Sequence, residues 1–184
     1  MSNLVFRPTL PMVLLLAPAA ALAQQPPKIL VATGQEMSVG VLNPGTLECV
    51  NGRPAGSFLQ CSPGTTRISV WNSVGVQGYQ DVVGTAAAMF RGRSTVVMHC
   101  NLDGNYYGHC WGTFEMEVAE MGGKWVGAWS GLYDLAANVV SYRASGYGSG
   151  GQLELLRFEK ESVWPGGTQP GTFVFKVLAK QPAR

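Results

Sequence analysis

Lys124-Trp125-Val126-Gly127-Ala128-Trp129-Ser130-Gly131 is the stretch that decides the fold. Side chains alternate across a β-strand, so Trp125, Gly127 and Trp129 share one face. Just upstream, Thr113-Phe114-Glu115-Met116-Glu117-Val118 alternates in the same way. Phe114, Met116 and Val118 share a face, and Glu115 and Glu117 share the other. Only Ala119–Gly123 separates the two runs, which predicts a hairpin. Thr172-Phe173-Val174-Phe175-Lys176-Val177 repeats the pattern, with both Phe and Val177 on one side. No long segment shows the three-and-four spacing of an amphipathic helix.

Further short apolar or alternating runs lie at intervals of roughly 10–15 residues, divided by Gly, Pro, Asn and Asp. The predicted strands are 29–33, 37–42, 67–72, 82–90, 95–100, 110–118, 124–130, 139–145, 152–159 and 172–179. Two of these carry conflicting signals. Residues 152–162 are rich in helix formers, and residues 82–89 contain three alanines, which strands disfavour. Eight to ten short strands joined by tight turns predict an all-β protein, a barrel or a sandwich. Closure would also remove exposed edges that a weakly charged β protein must otherwise protect.

Composition agrees. Of 184 residues, 46% are hydrophobic, 13% are charged and 24 are glycine, with a net charge of +2. The apolar content excludes a disordered chain. Without a basic run, no nucleic-acid partner is expected. Residues 1–23 read as a signal peptide: Arg7, an apolar stretch from Pro11 to Ala20, then Ala21-Leu22-Ala23 as a small-x-small cleavage site. The apolar run is too short, and too broken by Pro11 and Pro18, to span a bilayer. The expected order is therefore leader, flexible start over 24–28 and barrel domain over 29–184, in a secreted or periplasmic protein with no membrane span after processing.

Export recasts the cysteines. Cys49, Cys61, Cys100 and Cys110 make an even number in an oxidising compartment. Of the three pairings, 49–61 and 100–110 are favoured because each encloses a turn-rich segment. His99-Cys100 and His109-Cys110 suggest a metal set at first sight. Adjacent strand residues face opposite ways, and no Cys-x-x-Cys half-site is present, so no metal is expected.

Chemical signals are few. Gly146-Tyr147-Gly148-Ser149-Gly150-Gly151 matches a dinucleotide-binding spacing but lacks the following long helix. No cofactor is expected, and these glycines are read as a sharp bend between strands. Ser130 stands one place too late for a nucleophile elbow. Glu115 and Glu117 are catalytic candidates if they face a lumen. The expectation adopted is the reverse: Trp125 and Trp129 pack with Phe114 and Met116, and the carboxylates face the opposite side. Trp125, Trp129 and Tyr142 are candidates for the wall of a ligand cavity, with core packing as the plainer role for such rings.

The order Trp111-Gly112-Thr113-Phe114, Trp125-Val126-Gly127-Ala128-Trp129-Ser130-Gly131, Ala144-Ser145-Gly146-Tyr147-Gly148 and Gly151-Gln152-Leu153 resembles the allene oxide cyclase barrel-like proteins, a superfamily that includes the dirigent proteins. The likeness spans roughly residues 82–179 and rests on Gly and Trp positions. It implies an eight-stranded antiparallel barrel with a central cavity, often in a homo-oligomer. No catalytic residue of those proteins maps onto a matching position here. The two expected disulfides and the leader depart from the plant cyclases.

The leading functional expectation is an exported barrel with a non-enzymatic binding or structural role, holding a small apolar or aromatic ligand. The alternative is a cofactor-free cyclase or isomerase that works in the lumen. A third reading is a carbohydrate-active protein using Glu115 and Glu117.

Overall fold

The computed structural model describes residues 28–178 apart from residues 57–58, 135–136, 138 and 166–168. The expected leader therefore lies outside the described residues. Among the described residues nine strands form one antiparallel sheet: β1 (Ile29–Asn43), β2 (Thr46–Val50), β3 (Arg67–Val83), β4 (Arg93–Asp103), β5 (Tyr107–Val118), β6 (Gly123–Asp134), β7 (Val139–Ser149), β8 (Arg157–Trp164) and β9 (Gly171–Leu178). The order β1-β9-β8-β7-β6-β5-β4-β3 closes through β1–β3 pairing, giving an eight-stranded barrel with β2 as an extra strand on β3. The chain is all-β, as its alternation predicts.

The β5–β6 hairpin places Phe114 opposite Gly127 and Met116 opposite Trp125. Phe114, Met116, Trp125 and Trp129 are buried together, while Glu115 and Glu117 are exposed. Gly127 and Gly146 pair across β6 and β7 beneath the Phe158 ring. A Cβ at Gly127 would lie 2.8 Å from that ring and one at Gly146 2.7 Å from it. The glycine between the tryptophans is thus the space a neighbouring ring fills.

Four expectations need correction. The predicted strand 82–90 ends at Val83, and Ala87–Phe90 is a 3-10 turn. Gly84, at φ 109°, redirects the chain, and the poor strand-forming alanines then turn Phe90 inward. Second, 29–33 and 37–42 are one strand. Gly34 is a close-packing point, since its Cβ would lie 2.8 Å from the Gln80 carbonyl. Third, 152–159 splits into a 3-10 turn at Gly151–Leu153 and β8, which starts at Arg157. Fourth, Gly146 and Gly148 do not bend the chain between strands. Both lie inside β7, and Gly150 and Gly151, with φ 79° and 52°, make the turn. Strand β2 escaped the reading, as did residues 73–81 of β3, where Gly75 and Gly78 break the apolar alternation.

The connections after β3, β5 and β7 each contain a 3-10 turn and gather at one end of the barrel. Phe90 plugs that end, with ring centroids 4.1 Å from Phe175 and 4.6 Å from Tyr79. Two disulfides form, Cys49–Cys61 and Cys100–Cys110, the pairing expected from spacing. The second joins directly opposed positions of β4 and β5.

Candidate functional site

The lumen is layered. Next to the plug lies an aromatic floor: Trp125, Phe158 and Phe175 pack with centroids 5.1–5.4 Å apart. The Trp125 indole donates to the Met89 carbonyl at 2.6 Å, tying the plug to β6.

Above the floor sits a buried polar layer. Glu36 is 0% exposed and Lys160 1%. Inward alternation on β8 delivers Phe158, Lys160 and Ser162 to the same face, and β1 delivers Ala32 and Glu36. Glu36 accepts from four donors. Tyr142 Oη donates to Oε1 and Oε2 at 2.7 and 2.8 Å, and Trp164 Nε1 donates to Oε1 at 2.6 Å. Lys160 Nζ and Ser162 Oγ complete the set. Lys160 Nζ also donates to Tyr142 Oη at 2.8 Å and lies 4.8 Å from the centre of the Tyr79 ring. Tyr79 Oη bonds Ser94 Oγ at 2.8 Å. Among the described residues no buried polar side-chain atom lacks a partner.

Burial shifts the lysine and two phenols of this layer. It lowers the Lys160 pKa, against the opposing pull of Glu36. It raises Tyr142 and Tyr79 well above the ordinary phenol value, with the Glu36 charge adding to the effect. A carboxylate–ammonium pair with three further donors is how a closed interior tolerates both charges.

Beyond this layer, toward the end away from the plug, lies a cavity of about 240 Å³. Val76, Val96, Met98, Phe114 and Trp129 form much of its wall, and Tyr142 and Trp164 form its base. The wall is incomplete on one side. Strand β9 pairs with β1 only as far as Glu36, so from Met37 to Asn43 β1 has β3 alone as a partner. Ser38 and Val41 on that edge are exposed and line the cavity.

Of the residues singled out by sequence, Trp129 and Tyr142 face the cavity, with centroids 5.7 Å apart. Trp129 Nε1 reaches over Gly112 to the Val97 carbonyl at 3.0 Å. Trp125 lies below, in the aromatic floor, where the pairing of Met116 with Trp125 places it. Glu115 and Glu117 are on the outer wall, and Glu115 accepts from Lys124 at 2.8 Å. His99 and His109 are also outside, packed against Trp71 and Trp111, while Cys100 and Cys110 point inward. Sequence reasoning missed Glu36, Lys160, Ser162 and Trp164. For Lys160 a signal existed: it shares the strand face of Phe158, where an outward-facing lysine is not expected. No family model matches the chain, and no curated protein matches it.

Proposed function

We propose that this chain is an exported binding protein that holds a small apolar ligand in the barrel lumen. The observation that carries the reading is the cavity itself, an apolar space above a polar layer whose groups are already satisfied by one another. Its size selects the ligand class. A dry cavity of ~150 Å³ accommodates benzene, so about 240 Å³ suits a one-ring molecule with a short substituent. Two disulfides support an oxidising compartment. No helix among the described residues is long and apolar enough to cross a membrane. The outer wall carries Glu115, Lys124, Arg143 and Glu161 in exposed ion pairs, a poor surface for lipid. The resemblance to allene oxide cyclase barrel-like proteins supports a lumen that receives small molecules.

A cofactor-free cyclase or isomerase is the second reading, favoured by a buried carboxylate, phenol and ammonium at the base of the cavity. It is weaker on chemistry. Tyr142 has committed its proton to Glu36, burial keeps it a phenol, and the carboxylate oxygens are held by four donors.

Native mass spectrometry of the protein purified from its producing cells tests the binding reading, with Val76→Phe as the filled-cavity control. The expected result is a bound molecule of small mass in the parent protein and none in the variant. A bare protein in both, or a molecule retained by the variant, would contradict it.

A further inference from the structure

Among the described residues three polar side chains lining the cavity keep hydrogen-bonding capacity: Ser38, exposed on the open edge, and Tyr133 and Gln77, both half-buried. Tyr133 Oη has the Met98 thioether as its only hydrogen-bond partner among the described residues, at 3.6 Å. Sulfur is a weak acceptor, so this phenol keeps most of its donor capacity. Gln77 uses its side-chain oxygen to accept from Tyr79 at 3.3 Å. Its amide N–H₂ has no acceptor among the described residues. Both residues line the same cavity. The other polar rings there are committed: Tyr142 and Trp164 to Glu36, and Trp129 to the Val97 carbonyl.

Taking the lumen-binding reading as given, we infer that the site selects an uncharged one-ring molecule bearing a hydrogen-bond acceptor oxygen, such as a ketone, aldehyde or ester, with Tyr133 and Gln77 as the specificity-determining donors. Charge is selected against on both sides. Among the described residues no lysine, arginine or histidine lines the cavity, so a bound carboxylate would lie unpaired above Glu36. A bound cation would meet N–H and O–H donors with their positive ends toward it. Burial pushes the Tyr133 phenol up to about 12, so it stays protonated as a donor at neutral pH.

The test uses acetophenone and α-methylstyrene, which share a shape and differ by a carbonyl oxygen in place of a methylene, together with benzoate. Their affinities are measured by calorimetry on the purified protein, on Tyr133→Phe and on the Tyr133→Phe/Gln77→Leu double variant. The parent protein should bind acetophenone about tenfold more tightly than α-methylstyrene, the upper range for one neutral hydrogen bond, and should bind benzoate more weakly than either. The preference should shrink in Tyr133→Phe and vanish in the double variant. Equal affinity of the parent for the isosteric pair, a preference that survives in the double variant, or tighter benzoate binding would overturn the inference while leaving lumen binding standing. Failure of all three compounds to bind the folded parent would overturn both.

Discussion

Glu36 and Lys160 form the one ion pair among the described residues whose side chains are both wholly shielded from water. Glu36→Gln removes the charge that keeps Lys160 compensated. Breaking a buried pair from one side costs ~3–5 kcal/mol, so this variant should be destabilised by about that much near pH 7. The sign of its pH dependence follows from Lys160. Burial lowers the folded-state pKa, and Glu36 is what opposes the fall. Without Glu36 the folded value drops further, while the unfolded chain titrates in the ordinary lysine range. Between the two values the unfolded chain holds more protons, so the variant gains stability as pH rises. Denaturant titrations at about pH 7 and about pH 9 should show the deficit shrinking at the higher pH. A deficit that is constant or grows would contradict a buried Lys160 charge. At this scale the sequence was least informative. Lys160 shares a strand face with Phe158 but stands between Glu159 and Glu161, and Glu36, after Gln35, reads as one more polar residue on a wet strand face. Only closure of the barrel brings β1, β7 and β8 to one point, and no local pattern encodes that meeting.

Among the elements, the β5–β6 hairpin was the most legible, because Phe114, Met116, Val118, Trp125 and Trp129 fall on one face and Glu115, Glu117 and Lys124 on the other. The register that pairs Met116 with Trp125 puts Phe114, Met116, Trp125 and Trp129 inside and the carboxylates outside. Trp125→Ala should therefore cost ~3–5 kcal/mol by opening a cavity in the aromatic floor, with the added loss of the tie to Met89. Glu115→Gln should change unfolding free energy by no more than ~0.5 kcal/mol, since its partner Lys124 is exposed. Chemical denaturation of the two variants checks both values, and a costly Glu115→Gln would mean that the outer wall is buried in some assembly. Where glycine enters, legibility falls. In β3, Gly75 and Gly78 stand opposite Val41 and Met37, so the ladder continues through residues that read as breakers in isolation. In the opposite sense, the alanines before Phe90 offered enough apolar character to suggest a strand, yet Gly84 sends the chain across the barrel end.

The whole molecule is a barrel plugged at one end and hollow toward the other. The plug is built from Phe90 and the three 3-10 turns, the middle from an ion pair sheathed in tyrosine and phenylalanine, and the hollow from valine, methionine and tryptophan. Alternation predicted an all-β chain, and the resemblance to barrel-like proteins implied its closure. Whether its lumen would be filled or hollow depended on summed side-chain volume around eight strands, which a linear pattern does not display. The central claim is that the hollow half of the lumen takes up a small uncharged ring while the plugged half stays solid. Met98 lines the hollow and Met116 lies fully buried in the lower core, so methionine-methyl NMR reads the two halves separately. Titration with acetophenone should shift the Met98 methyl resonance in a saturable way and leave Met116 in place. Saturable shifts at Met116 with none at Met98, or no shift at either, would contradict the claim.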